Sequence, residues 1–168
     1  SDLGMQDKAA EYYNRALQYD ADSIEAHNNL AVLYTKQGKA DLAIRHYTRA
    51  LELAPEMAEA HHNLAVLLSG QGQMDKAVEQ YSQAVRIRPD FFEAQWNLGL
   101  ALARLNRHEQ AVGHYRAALR LRPREPVVHT YLGITRAKTG RTTQAIPEYQ
   151  TALQLDPNTA EARKNLEL

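Results

Sequence analysis

Histidine is the side chain best suited to acid–base or metal chemistry near neutral pH, and this 168-residue chain has seven of them and no cysteine. Without cysteine there is no thiolate nucleophile, no disulfide framework and no cysteine-based zinc site. A zinc ion would need several histidine or carboxylate donors, each about 2 Å away. Yet His27 and His61 are separated by one fixed step in sequence, and His129 falls two such steps beyond His61. His46 and His114 are related by the same double step. Equivalent residues on stacked helices lie about 8–10 Å apart, too far to share one ion. These five histidines are therefore expected to be structural or surface residues, with no metal. His61 and His62 are adjacent, so on a helix they point in different directions.

Two further motifs fail for lack of context. Gly70-Gln71-Gly72 opens like a dinucleotide loop, but no strand precedes it. No Gly-x-Ser-x-Gly elbow and no Lys-Ser/Thr phosphate loop occurs in the sequence. Neither catalytic residues nor a cofactor are expected, and the chain reads as a non-enzyme.

The elements behind that spacing are written in the whole chain. RALELAP at 49–55 has close relatives at 15–21, 83–89, 117–123 and 151–157, each displaced by the interval that separates Pro55 from Pro89. A constant period of this size, about 34 residues, marks stacked repeats. With each proline (Pro55, Pro89, Pro123, Pro157) as position 32, the units are 24–57, 58–91, 92–125 and 126–159. Residues 1–23 form a half repeat, a second helix alone, and 160–168 a partial repeat or capping helix. Both ends fall inside units, so the array is expected to extend further or to finish in a short cap.

Each unit repeats its apolar code. Position 7 is leucine (Leu30, Leu64, Leu98, Leu132) and position 8 is small (Ala31, Ala65, Gly99, Gly133). Alanine at positions 20 and 27 brackets tyrosine at 24, as in Ala43, Tyr47 and Ala50. These residues fall at i, i+4 and i+7, one stripe of a helix. One helix pair cannot bury such a stripe, so each unit is expected to close the next.

Helix ends recur as regularly. Position 15 is Gly4, Gly38, Gly72, Asn106 and Gly140, residues that tolerate a left-handed cap. Asp7, Asp41, Asp75 and Glu109 follow three positions later, where an acid meets the positive end of the second helix. Asp22 with Glu25, Asp90 with Glu93 and Asn158 with Glu161 have capping-box spacing for the first helices. Pro126 suits a first helical position, whereas Pro147 falls inside a second helix, where it removes a hydrogen bond. Ten helices with short turns are predicted.

These motifs resemble the tetratricopeptide repeat across essentially the whole chain. The resemblance implies an all-α fold, an α-solenoid of stacked antiparallel helix pairs wound as a right-handed superhelix. It also implies a concave groove lined by the first helices, holding Asn28, Asn29, Lys36, His62, Asn63, Val66, Trp96, Asn97, Leu100, Arg104, Tyr131 and Lys138, together with Val32, Ser69, Thr130 and Ile134. Position 6 within it is Asn29, Asn63 and Asn97, then Tyr131. An asparagine amide can pair with the backbone of an extended peptide, or equally with its own array. Trp96 can anchor a ligand side chain or pack on Tyr131 or Phe92. Position 9 (Val32, Val66, Leu100, Ile134) is either groove floor or partial core.

Members that clamp chaperone carboxylate tails use a lysine, arginine and asparagine set whose places here are Asn28, Val32, Asn63, Glu93 and Asn97; only Asn63 fits. The asparagine pattern is more similar to arrays preceding O-linked N-acetylglucosamine transferase domains and to bacterial scaffolds.

Twenty Lys/Arg balance twenty Asp/Glu, which disfavours nucleic acid and membrane surfaces as partners. No charged-then-apolar leader or transmembrane stretch is present, so a cytoplasmic location is expected. The leading expectation is a scaffold that binds an extended peptide of a protein partner. The alternatives are the substrate-recruiting region of a larger enzyme such as a glycosyltransferase, and a homo-oligomer formed through exposed repeat ends.

Overall fold

Short helices joined by turns of about three residues can only fold back on their neighbours, and the alanine and tyrosine stripe decides which faces meet. The computed structural model describes residues 2–166, with residues 2–4 and 6 described by backbone alone. Among them are ten helices and no strand: α1 (Asp2–Tyr19), α2 (Ile24–Lys36), α3 (Ala40–Leu53), α4 (Ala58–Gly70), α5 (Met74–Ile87), α6 (Phe92–Arg104), α7 (His108–Leu121), α8 (Pro126–Lys138), α9 (Thr142–Leu155) and α10 (Ala160–Leu166). The fold is an all-α solenoid. No helix among the described residues is long and apolar enough to cross a membrane.

The helices gather into two compact units, Ser1–Ile87 and Arg88–Leu168. In the first, α2 packs on α3 and α4 on α5, with α1 against α2 and α3 against α4. In the second, α6 packs on α7 and α8 on α9, α7 meets α8, α6 touches α8, and α10 closes on α9 and α8. The cores are the predicted stripes: Ala43, Tyr47 and Ala50 in α3, and Ala111, Tyr115 and Ala118 in α7, are at most 1% exposed. The small residue at position 8 faces the position-24 tyrosine of its own pair. A Cβ built on Gly99 would stand 2.6 Å from Tyr115 Cε1, and one on Gly133 2.5 Å from Tyr149 Cε1.

The turns follow from backbone chemistry. Gly38, Gly72, Asn106 and Gly140 all adopt positive φ, between 59° and 77°. That twist lets Lys39, Gln73, Arg107 and Arg141 donate their N–H groups back to Tyr34, Leu68, Leu102 and Arg136, 2.8–2.9 Å away. Carbonyls at the ends of the first helices are thereby satisfied. Gly4 departs from the expectation, since α1 begins at Asp2 and runs through it. Asp7 is accordingly not in a first turn, whereas Asp41, Asp75 and Glu109 are.

The capping boxes are corrected as well. α2 is capped by Ser23, whose Oγ accepts from Ala26 N, and α6 is preceded by Phe91 with no side-chain cap. The helices start one residue later than the acid spacing requires. The acids go elsewhere: Asp22 pairs with Arg49 and Glu93 with Arg122. Asp20 and Asp156 hold the turns, accepting from the backbone N of Asp22 and Asn158. Pro126 sits at the start of α8, and α9 continues through Pro147.

Candidate peptide-binding surface

The helical register puts positions 5, 6, 9 and 13 of each first helix close together along one side of that helix. In the first unit these residues belong to α2 and α4. Asn28, Asn29, His62 and Asn63 are half-buried, Lys36 is exposed, and Val66 is 42% exposed. His62 rests its ring on Tyr81, with centroids 5.7 Å apart, and its Nδ1 is 3.3 Å from Asn63 Oδ1. Burial pushes the Tyr47 hydroxyl above its ordinary pKa, while hydrogen bonds with Asn63 and Thr35 draw it back. Asn63 thus stands beside Tyr47 of the preceding second helix.

In the second unit α6 and α8 supply the face. Trp96 is half-buried between two tyrosines, 5.3 Å from Tyr131 in an edge-on contact and 5.4 Å from Tyr115. Its predicted contact with Tyr131 is present, whereas Phe92 stacks under the Arg122 guanidinium at 4.1 Å. Leu100, Ala103 and Arg104 of α6 and Tyr131, Ile134, Thr135 and Lys138 of α8 line one cavity of about 150 Å³. Five of the expected groove residues thus meet there: Leu100, Arg104, Tyr131, Ile134 and Lys138. Asn97 is half-buried on the same helix. Thr130 is not part of this surface, because it is 2% exposed and its Oγ1 donates to Pro126 O at 2.9 Å. Position 9 divides: Val66 faces solvent, while Ile134 packs against the buried cluster of Ala145, Tyr149, Ala152 and Ala162.

A polar constellation that the spacing argument separated is joined in the fold. Position 4 of each first helix reaches back to the carbonyl of position 32 and forward to position 23 of its partner helix. His27 Nε2 is 3.1 Å from Ala21 O, and its Nδ1 is 2.9 Å from His46 Nδ1. His61 bridges Pro55 O and Gln80, Gln95 bridges Pro89 O and His114, and His129 bridges Pro123 O and Glu148. Arg163 makes the same backward bond to Pro157 O. The signal was in the sequence as a pairing of positions 4 and 23 within each unit, but reading each position singly hid it. These groups fasten the helix pairs, and among the described residues no three His, Asp or Glu side chains are placed to hold a metal ion.

At position 11 the fourth pair carries Arg136, 8% exposed, whose Nη1 bonds Gln144 O and Glu148. Burial works against the Glu148 charge, yet the His129 hydrogen bond and the Arg136 and His129 charges together hold its pKa below the ordinary value. The bond to Glu148 in turn raises His129.

Family models described as "Tetratricopeptide repeat" match residues 22–90, 62–126 and 132–159, and one described as "TPR repeat" matches 2–38. No curated protein sequence matches. Among solved structures the chain is similar to YrrB, described as a TPR protein with an unusual peptide-binding site. The TM-score is 0.91 at 20% identity, covering 100% of this chain and 87% of that one. It is also similar to MamA, with a TM-score of 0.86 at 21% identity over 95% and 94% of the two chains. A further MamA structure, AMB-1, gives 0.85 at 26% identity over 95% and 87%. With the repeat code, the left-handed turns and the family matches in agreement over most of its length, the chain belongs to the tetratricopeptide repeat family.

Proposed function

We propose that this chain is a protein-interaction scaffold, a non-enzymatic array of units 24–57, 58–91, 92–125 and 126–159 whose first helices hold an extended peptide of a partner. In the first unit the contact residues are Asn28, Asn29, Lys36, His62, Asn63 and Val66. In the second they are Trp96, Asn97, Leu100, Arg104, Tyr131 and Lys138. The observation that carries this reading is the cavity beside Trp96, where aromatic, aliphatic and cationic side chains from successive first helices converge. A tryptophan already fixed by two rings loses little freedom on binding, and preorganisation of this kind raises affinity. The fold likeness to YrrB, itself described as peptide-binding, supports the same reading.

The test is affinity capture from source-cell extract with the intact chain and with Asn63→Ala/Asn97→Ala/Trp96→Ala, their folding matched by circular dichroism. A partner retained by the first and lost by the second is expected. Equal retention would move binding off the first-helix face.

A further inference from the structure

The second unit is unevenly charged, although the whole chain is neutral. Residues 88–168 contain twelve Lys/Arg against eight Asp/Glu, and residues 1–87 contain eight against twelve. Within the second unit several arginines are already matched: Arg122 with Glu93, Arg136 with Glu148 and Arg141 with Glu109. Arg104 and Lys138 differ from these. They occupy the same repeat position on α6 and α8, both are exposed, and neither has a carboxylate partner among the described residues. Both line the cavity beside Tyr131, and no Asp or Glu lines it with them.

We propose that this face of the second unit docks an acidic segment of a partner protein, with one carboxylate held by Arg104 and Lys138 and a neighbouring apolar side chain seated on Leu100, Tyr131 and Ile134. The inference rests on the peptide-binding reading and names the chemistry of the peptide. Arginine offers a carboxylate two parallel N–H donors and lysine adds a mobile point charge. The apolar wall beside them excludes water from one side of the pair, which strengthens the attraction relative to open solvent. An excess of positive charge over the whole unit steers an acidic segment toward the face before contact. The first unit has no equivalent pair, because the positions matching Arg104 and Lys138 are Lys36 and Gly70. The expected motif is therefore local and short: Asp or Glu next to an aliphatic or aromatic residue.

The test is selection of a random dodecapeptide phage library on the intact 168-residue chain, followed by anisotropy titration of labelled synthetic winners. Peptides that need Trp96 and carry Asp or Glu beside an apolar residue are expected. Their affinity should fall about tenfold or more in Arg104→Gln/Lys138→Gln and should weaken with added salt. Both side chains are exposed, so the melting temperature should hold. The reversed variant Arg104→Glu/Lys138→Glu should select Lys- or Arg-bearing peptides, an outcome that misfolding cannot imitate. Winners that depend on Trp96 yet show no acidic preference would overturn the charge assignment and leave the scaffold reading standing. Recovery of no peptide that depends on either face would overturn both.

Discussion

Position 4 of each helix pair does one mechanical job with different side chains, and among these clamps His129 answers pH differently from His46 and His114, which stand at position 23. A carbonyl can only accept, so the Nε2 atoms of His27, His61 and His129 carry hydrogens toward Ala21, Pro55 and Pro123. At His129 the second nitrogen faces the Glu148 carboxylate, which cannot donate when ionised, so this geometry favours the ring with both nitrogens protonated. Its pKa is raised, chiefly by that hydrogen bond. The stabilisation is complete below the ordinary value of 6.5 and is lost as pH rises through the folded value. His46 behaves in the opposite sense: burial, then the His27 and Arg45 charges, lower its pKa. The unfolded chain takes up that proton first, so this pair loses stability as pH falls through 6.5. Burial lowers His114 as well. In an NMR titration His129 is expected to protonate at higher pH than His46 and His114, and a reversed order would refute the clamp geometry. His46→Gln recreates the His61–Gln80 pairing of the next repeat. It should shrink, though not abolish, the fall in melting temperature between about pH 7.5 and about pH 5.5. Glu148→Gln should cost about 3 kcal/mol in urea unfolding, since it leaves the buried Arg136 guanidinium uncompensated.

At the scale of the helix, two glycines in neighbouring helices separate packing from propensity. Gly113 lies in α7 with nothing within 4 Å of an added Cβ, so Gly113→Ala should gain about 0.5–1 kcal/mol from helix propensity alone. Gly99 has the same propensity to gain, but its new methyl would overlap the ring of Tyr115, a fully buried side chain held against Trp96. Overpacking of this kind costs about 1–3 kcal/mol, so Gly99→Ala should be destabilising on balance. Opposite shifts in the urea midpoint are the expected pair of results. Helices were legible because their signals are periodic and redundant: Tyr47 is bracketed by Ala43 and Ala50, and Gly38 stops the preceding helix. Caps were less legible because a one-residue shift changes the outcome. Asp22 had the right spacing from Glu25, but Ser23 took the cap and left Asp22 free to reach Arg49 across the pair. The clamp residues were illegible singly, since His27 or Gln95 means little until its partner on the following helix is set beside it.

At the scale of the whole molecule, every close helix contact within the two units joins helices adjacent or next but one in sequence. Stability in such a fold is a sum of local pairings rather than the property of one central core. That explains why the class of fold could be read from the repeat while the chemistry of the candidate face could not. Repetition specifies neighbours, whereas the charge of a face depends on where the repeats differ, as Arg104 and Lys138 differ from Gly70. The same locality predicts a gradient of backbone opening. Among the described residues α10 runs Ala160–Leu166, buries Ala162 and packs on α9 and α8. A helix that short is marginal by itself, so its order depends on its packing against α9 and α8. By contrast α6 buries Ala94, Gln95, Leu98, Gly99, Ala101 and Leu102. In native-state hydrogen exchange the α10 amides should exchange fastest among the described helices of the second unit, and those of α6 should approach the global unfolding limit. Uniform protection of both would mean that the unit opens as one cooperative block and that nearest-neighbour accounting does not describe it. Ala162→Gly should speed exchange in α10 while leaving α6 protected, because what it removes is one helix's local contact.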